Sequence, residues 1–485
     1  MNWWVLKRRV HVSWLIAVVA SGCVVGVVMA QYVPQGWFWH YVWLFVGLLM
    51  IAVAVYFRYA ATIVLCIAGG ALVGLWRGAT DQANLAAYGQ LIGHVIELRG
   101  AVQEDIDQRT DGQHVMKLGS VRYGEVSLPG ALWVSYQDVG QEIWRSDTVT
   151  VRGKVSEGFG AFPAALYRAD IVKVARSDSG DVALKIRDGF GSAVRSVVPE
   201  PEVSLGLGYL LGQRRSLPEE LGEALRIAGL THVIVASGYN LTILVRFARR
   251  IFSKISRYTG LITSFGLVLG FIAVTGMSPS MSRAGLVTGL SLLVWYYGRK
   301  IHPLVLLPLA AAITVIINPS YAWGDIGWQL SFAAFAGVLI LAPLLQAYFF
   351  GEKKPGSIRQ IMGETISAQL ATLPIIIMTF GQISNVALIA NLLILPLVPL
   401  AMLLTFATGL GALVWPMIGI VLAVPTAWLL QYMTGIASYL ANLPWAMTDV
   451  GMGWLALLFY IPLIGACVYM CRSTKLSLRD HNIVD

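Results

Sequence analysis

Long apolar runs cover most of the chain, and a middle region with a different pattern interrupts them. Runs long enough to cross about 30 Å of hydrocarbon, which takes roughly 17 to 25 apolar residues, recur from Val12 to Met29 and again from Leu261 to the C-terminus. This pattern predicts a polytopic α-helical membrane protein with about 12 crossings, including short or re-entrant helices. We expect an N-terminal three-helix anchor at 1–80, a transmembrane domain at 201–475 and a tail at 476–485.

The middle region alternates over short distances, in runs such as TVTVRGKV and ADIVKVA that Gly, Asp and Ser separate. Such alternation predicts an all-β domain at 88–178, inserted after the third helix. About five or six short strands fit a small OB-type barrel, and a sandwich remains an alternative. Charged and apolar residues at helical spacing follow at 180–200 and predict an amphipathic helix on the membrane surface.

Composition and charge agree with a membrane protein and predict its orientation. Of the 485 residues, 57% are hydrophobic and 13% charged, and the net charge is +9. Lys and Arg gather before the first run, at Lys7, Arg8 and Arg9, and in later short loops. Because such clusters stay in the cytoplasm, we expect a multi-pass cell-membrane protein with both termini cytoplasmic and the β domain extracytoplasmic.

Two glycine-interrupted segments are too short to span a bilayer. They are Val203–Leu211 and Val233–Val245, and the second carries the polar stretch ASGYN. Irregular backbone at membrane depth is tolerated only where it is buried in protein or lines a watery cavity. Two such segments in succession predict a substrate path, by the logic of broken helices in transporters.

Further polar and small residues lie in the same half of the chain. The alternative for each of them is contact between helices, because small and polar residues are enriched where transmembrane helices touch. Taken as a set they favour a hydrated path. The candidate path residues are Gly206, Gly208, Gly212, His232, Ser237, Gly238, Asn240, Ser282, Arg283, Gln329, Ser331, Glu364, Gln369 and Asn391.

The sequence gives little support for a catalytic site or a metal site. His232 and Ser237 are five residues apart, which on an α-helix places them about 140° apart round the axis, so a local nucleophile and base pair is not expected. No GxxxxGK[ST] motif occurs, so the energy for transport must come from elsewhere. The four cysteines have no CxxC spacing, and we expect no metal and no cofactor.

Several motifs together resemble the ComEC family, the inner-membrane channels of natural competence. They are GLGYLLGQRRSLP, AGLTHVIVASGYNL, MSPSMSRAG, NPSYAWGDIGWQLSFAA and AQLATLPIIIMTFGQISNVALIANLLILPLVP, in this order. In the second motif a Ser-Gly pair is followed by a His or Asn, and Asn240 fills that place. The resemblance implies a channel, not an enzyme, that imports one strand of transforming DNA.

The resemblance also implies partners and a role for the middle domain. Many relatives carry a metallo-β-lactamase-like domain with an HxHxDH motif, but this sequence contains no HxH, so we expect strand degradation by a separate nuclease. An extracellular DNA receptor and a cytoplasmic helicase or ATPase are further expected partners. OB barrels stack the bases of single strands on aromatics in a positive groove, although aromatics in a small barrel also form its core. The candidate contacts are Trp133, Tyr136, Trp144, Arg145, Arg152 and Lys154.

Two other functions remain open from the residues alone. A proton-coupled small-molecule transporter would use Glu364 and Asp325 as a relay, because carboxylates inside a membrane commonly carry protons. An intramembrane hydrolase would use Ser237 as nucleophile, with a base such as His232 or Glu364 brought close by folding. The oligomeric state, the driving force and the strand polarity do not follow from the sequence.

Overall fold

The structure is a computed structural model that describes residues 10–33, 36–108, 112–137, 140, 142–176, 181–213, 217–234, 238–276, 279–298, 302–351 and 356–474. Its helices are α1 (Val12–Met29), α2 (Tyr41–Phe57), α3 (Ile63–Leu85), α4 (Val182–Arg195), α5 (Glu202–Leu211), α6 (Glu219–Ile227), α7 (Thr231–Ile234), α8 (Gly238–Phe252), α9 (Arg257–Thr275), α10 (Pro279–Tyr296), α11 (Pro303–Ile317), α12 (Tyr321–Gly324), α13 (Ile326–Ala336), α14 (Ala342–Phe350), α15 (Ser357–Phe380), α16 (Ala387–Ile394), α17 (Val398–Val414), α18 (Pro416–Ala441) and α19 (Tyr460–Thr474). Its strands are β1 (Val95–Val102), β2 (Asp107–Gln108), β3 (Gln113–Tyr123), β4 (Val126–Ser127), β5 (Leu132–Gln137), β6 (Thr148–Phe159), β7 (Phe162–Leu166), β8 (Asp170–Ala175), β9 (Gln382–Ser384) and β10 (Met447–Asp449).

The chain divides into two compact units. Unit 1 comprises Met1–Asp181 and Ile301–Gln329, and unit 2 comprises Val182–Lys300 and Leu330–Asp485. The first division falls where the sequence predicts the amphipathic helix to begin. The return of 301–329 to the first unit does not follow from sequence order, and it means that α11 packs with the N-terminal helices.

Eight helical stretches in the described part of the chain are long and apolar enough to cross a membrane. They are Val12–Tyr32, Ile63–Gln90, Arg257–Thr275, Ile326–Phe350, Ile358–Phe380, Ala387–Val414, Pro416–Ala441 and Gly453–Thr474. Shorter apolar helices are Tyr41–Phe57, Glu202–Leu211 and Leu304–Ile317. The expectation of a multi-pass membrane protein is confirmed, and the count of about 12 crossings stays a prediction.

In unit 1, α1 and α3 approach so closely that their backbones touch. A Cβ atom built on Gly22 would lie 2.5 Å from the carbonyl oxygen of Ile67, and one built on Gly70 or Gly74 would meet the backbone of α1. In a membrane, small residues let helices gain packing contacts where no hydrophobic effect drives them together. The glycines at four-residue spacing thus fix this helix pair.

The expected β domain is present in unit 1 as a closed sheet. The strands pair in the order β1-β3-β5-β7-β6, and β6 pairs back with β1. The β5–β7 pair is parallel, and the neighbouring pairs are antiparallel. Alternate side chains fill the interior, among them Leu98, Met116, Leu118, Val134 and Val151, each at most 1% exposed. Closure leaves no open edge among these strands, because every one of them has two neighbours.

In unit 2, the short helix α5 lies at the centre of the largest apolar cluster. Leu205 and Leu207 are fully buried, and the cluster also contains Val398 of α17 and Leu430 and Met433 of α18. The predicted helix at 180–200 is present as α4, and its buried face packs on α17. Its location on the membrane surface stays a prediction.

Candidate functional site

The first short segment forms a helix that is buried all round. Each residue of α5 from Val203 to Leu211 is buried, which excludes a lipid-facing role for this glycine-rich stretch. Gly212 ends the helix with a left-handed φ of 69°, and its N–H donates to the carbonyl of Gly208 at 3.1 Å. Since glycine adopts this conformation without strain, Gly212 sets the length of α5.

Gly206 allows α5 to approach α17. A Cβ atom on Gly206 would lie 2.8 Å from Thr405 Oγ1 and 3.0 Å from Leu430 Cδ1. Thr405 is fully buried, and among the described residues its hydroxyl has no hydrogen-bond partner. Sequence reasoning did not identify Thr405, because one hydroxyl in an apolar helix is an ordinary feature.

The second short segment is joined to the first by one side chain. Asn240 lies in the first turn of α8 and is fully buried. Its Nδ2 donates to the backbone carbonyl of Tyr209 at 3.0 Å. Buried polar groups need such partners because desolvation is otherwise uncompensated. The two motifs that contain these residues therefore meet in space.

The start of α8 also contacts α10. A Cβ atom on Gly238 would lie 3.1 Å from the Cβ of Ala284. Ala284 follows Ser282, which is half-buried, and Arg283, which is 3% exposed. The Arg283 side chain is therefore surrounded by protein.

His232 lies on the short helix α7. Its side chain is exposed. Ser237 lies outside the described residues. That it forms no local pair with His232 stays a prediction.

Helix α15 packs against a π-helical segment, Gly337–Leu341. A Cβ atom on Gly337 would lie 2.8 Å from the Cβ of Ala371 and would also meet the backbone of Ser367. This stripe of α15 therefore serves helix packing. On the same helix Glu364 accepts a hydrogen bond of 2.9 Å from Gln360, and Gln369 is half-buried.

Two polar side chains around α13 form hydrogen bonds with nearby backbone groups. Asp325 Oδ1 accepts from the N–H of Trp328 at 2.7 Å, which caps the helix. Gln329 Nε2 donates to the carbonyls of Ala322 and Trp323, each at 3.2 Å. Ser331 is exposed. Asp325 and Gln329 thus have local structural roles, which the amphipathic pattern did not distinguish from path-lining ones.

Asn391 is a buried amide inside an apolar helix. It lies on α16 at 3% exposure, and within the described ranges its Oδ1 has no hydrogen-bond partner. Its neighbours Ala390 and Ile394 belong to the same apolar cluster as α5. An amide oxygen without a hydrogen-bond partner in such surroundings costs free energy.

The candidate DNA contacts of the β domain do not form one surface. Tyr136 is 4% exposed and belongs to the barrel core, so its ring is not available for stacking. Arg145 is also buried, with its NH2 group 2.7 Å from Asp181 Oδ2, so its charge is already neutralised. Both expectations are wrong, for different reasons. Tyr136 shares the inward face of β5 with Leu132 and Val134, whereas Arg145 lies in the loop before β6, where its partner Asp181 is 36 residues away in sequence.

The remaining candidates lie on different strands. Arg152 and Lys154 are exposed on β6, and Arg152 is flanked across the ladders by Glu97 and Asp170. Trp133 lies on β5, which pairs with β3 and β7 instead. Trp144 is half-buried in the loop before β6. A continuous positive groove is not formed by these side chains.

The part of the chain that the structure describes contains no set of metal ligands. No group of three or more His, Cys, Asp or Glu side chains there could hold a metal ion. The cysteines are free thiols at buried or half-buried positions. The polar contact that the structure shows at the α5–α8–α10 junction is that of the Asn240 amide with the Tyr209 carbonyl.

A comparison with known protein families matches the part of the chain that contains this junction. Residues 209–475, more than half of the chain, match the family described as Competence protein. The chain belongs to the Competence protein family. Tyr209, Asn240, Arg283 and Asn391 all fall within the matched range of this family, and the resemblance to the ComEC proteins is confirmed.

A relative within this family is the ComE operon protein 3 of Bacillus subtilis (strain 168). It is 25% identical over 215 residues, which is 44% of this chain and 27% of that protein. The chain thus matches about a quarter of the relative's length. No solved structure matches the chain.

Proposed function

We propose that this protein takes up DNA during natural competence, as a membrane channel that passes a single strand of transforming DNA into the cytoplasm. The hydrogen bond from Asn240 to Tyr209 carries the proposal, because it joins two short, non-spanning segments inside the membrane-embedded unit. Membership of the Competence protein family supports DNA uptake as the process. The printed name of the relative supports a link to competence in the same way.

The path that we propose begins at the junction of α5, α8 and α10. Short helices that end inside a bundle leave backbone groups available to a polar substrate. We assign Arg283 to the path as its positive charge, since Arg is well suited to bidentate phosphate contacts. His232 and Asn391 are the further polar groups that we assign to the path.

The β domain supports the proposal by its topology. The strand order β1-β3-β5-β7-β6, closed on β1 and with one parallel pair, supports an OB-type Greek-key barrel. We infer that it meets DNA outside the membrane, with both chain termini cytoplasmic. Its charges nearly balance, so phosphate attraction would contribute less to binding than it does in a basic domain.

The expected partners are part of the proposal. They are single-stranded DNA, an extracellular DNA receptor, a separate nuclease and a cytoplasmic helicase or ATPase. The lack of a phosphate-binding GxxxxGK[ST] motif supports an energy source on another chain. The proton-coupled transporter and the hydrolase are not favoured by the family match, and Asp325, one of the two relay carboxylates, caps a helix.

The test is uptake of labelled double-stranded DNA into a nuclease-protected compartment. A deletion strain would carry the wild type, Asn240→Leu, Asn240→His or Gly222→Ala. We expect loss of uptake in the deletion strain and with Asn240→Leu. The wild type should restore it, and Asn240→His should restore it in part, because a ring N–H is also a donor.

Gly222→Ala is the matched control, because a Cβ atom there meets nothing within 4 Å. Membrane levels and monodispersity of each variant in detergent separate loss of the channel from loss of folding. Undiminished uptake in the deletion strain would refute the proposal. Full uptake with well-folded Asn240→Leu would remove the α5–α8 junction from the path while leaving the channel in place.

A further inference from the structure

Four aromatic side chains form one patch on the outside of the barrel. The ring centroid of Trp133 lies 5.5 Å from that of Phe159 and 5.1 Å from that of Tyr167, and Phe159 lies 5.6 Å from Phe162. Phe159 and Tyr167 are 45% and 51% exposed. Large apolar rings grouped on a surface mark a site of interaction, because leaving them in water costs free energy. We call this group the aromatic patch.

The β6–β7 hairpin that carries part of this patch touches a loop between two apolar helices. A Cβ atom on Gly160, at the hairpin tip, would lie 2.8 Å from the carbonyl oxygen of Gly324. Gly324 belongs to segment 318–325, which connects α11 to the candidate membrane span Ile326–Phe350. A short connection between membrane helices lies at a membrane surface, and the hairpin tip therefore lies there too.

A second contact holds the same end of the barrel against the anchor. A Cβ atom on Gly130 would lie 3.0 Å from Pro163 Cγ and 3.6 Å from Leu85 Cδ2. Leu85 is the last residue of α3, within the candidate span Ile63–Gln90. The start of β7 thus lies beside the end of a membrane helix, independently of the Gly160 contact.

We propose that the aromatic patch lies in the headgroup region of the lipid bilayer, with Phe159 and Tyr167 in contact with lipid. Aromatic rings with a polar edge, such as Trp and Tyr, are enriched at this depth of the membrane. The patch occupies the end of the barrel that both contacts place at the membrane surface. This surface is additional to the proposed DNA path and does not depend on it.

The charges around the patch fit lipid better than a nucleic acid strand. Lys117 lies beside it, with Nζ 5.9 Å from the ring centroid of Phe162, but the same Nζ is ion-paired with Glu104 at 2.8 Å. Single-strand binding surfaces combine aromatics with a positive groove. The exposed cations Arg152 and Lys154 lie on β6, where they neighbour β1 and β8 and not β5.

The experiment uses the full chain in vesicles of phosphatidylcholine and phosphatidylglycerol. A bimane fluorophore is attached to Tyr167→Cys in a background without native cysteines. Quenching is measured with a nitroxide carried near the lipid headgroup and, separately, with aqueous iodide. The matched control is Val172→Cys, since Val172 is also 51% exposed but lies on β8, next to the far half of β6.

We expect the lipid nitroxide to remove most of the fluorescence at position 167 and little at 172, and iodide to show the reverse order. Equal quenching by iodide at both positions would overturn the proposal. Equal quenching by the lipid nitroxide at both would also overturn it, because the contact would not be specific to the patch. Protection of position 167 from iodide by added oligo(dT), without quenching by the lipid nitroxide, would assign the patch to single-stranded DNA instead.

Discussion

The amide of Asn240 donates to the backbone carbonyl of Tyr209 at 3.0 Å, across 31 residues of sequence. This bond connects the first turn of α8 to the last turn of α5, a helix that is buried on every side. Neither helix is long enough to cross a bilayer by itself. The junction therefore depends on tertiary contacts, and its polar groups are held inside unit 2.

Removing this donor is expected to destabilise the protein. Asn240→Leu leaves the Tyr209 carbonyl buried without its side-chain partner, which costs about 1–3 kcal/mol. Asn240→His retains a donor and should recover part of that loss. Thermal unfolding in detergent measures both variants. Equal unfolding temperatures for wild type and Asn240→Leu would show that the hydrogen bond contributes nothing to stability.

Adding a methyl group to α5 should also destabilise the protein. In Gly206→Ala the new Cβ lies 2.8 Å from Thr405 Oγ1, and overpacking of this kind typically costs about 1–3 kcal/mol. Combining it with Thr405→Ala, which removes the opposing atoms, should restore part of the stability. Gly222→Ala on the open side of α6 should be neutral or stabilising by up to about 1 kcal/mol. A double variant no more stable than Gly206→Ala would contradict the proposed contact.

The docking of α4 depends on a glycine that accommodates a ring. A Cβ atom on Gly409 of α17 would lie 2.6 Å from Phe190 Cε2 and 2.8 Å from Phe190 Cε1. We expect Gly409→Val to displace Phe190 and to raise hydrogen exchange across α4, because local opening follows the loss of buried contacts. Gly435→Val on α18, where a Cβ atom meets nothing within 4 Å, is the control. Unchanged exchange in Gly409→Val would show that α4 does not rely on this contact.

The ion pair between Arg145 and Asp181 is expected to contribute more to the free energy of unfolding than the partly exposed pair between Lys117 and Glu104. Its side chains are 6% and 16% exposed, and removing one partner of a buried pair costs about 3–5 kcal/mol. The Lys117–Glu104 pair of the same barrel is 35% and 26% exposed, and breaking it should cost less than about 1 kcal/mol. Urea unfolding of Arg145→Met and Glu104→Gln compares the two. Similar losses in both variants would refute the distinction.

A smaller effect should appear at acid pH. The hydrogen bond from Arg226 lowers the pKa of Glu223 below its ordinary value. A carboxyl with a lowered folded-state pKa stabilises the fold above the unfolded-state pKa, and this contribution is lost as the pH falls through the folded-state pKa. Glu223→Gln should therefore flatten the acid side of the stability profile. The change should be small, because both side chains are about half exposed and water screens the pair. An unchanged dependence of stability on pH would show that Glu223 does not contribute to it.

The elements of this fold could be predicted well where a pattern is local. Apolar runs predict the helices of the membrane part, and alternation predicts the β domain, because each pattern reflects which face of one element is buried. The second short segment was placed less well, since α8 runs on from Gly238 to Phe252. The candidate site could be predicted as a set of polar residues, but not as a geometry. Asn240 was identified from its sequence context, whereas its acceptor is a backbone carbonyl, which no residue type reveals.

The sequence by itself determined the membrane class of the protein, the insertion of a β domain, the two segments too short to span and the family to which the chain belongs. Only the tertiary structure decided that 301–329 packs in the first unit, that Arg145 is neutralised by Asp181 and that Gly206 rests against Thr405. The physical reason is the range of the interactions. Hydrophobic periodicity depends on residues that are close together in the sequence. A close contact joins residues whose distance in space depends on how every intervening element packs.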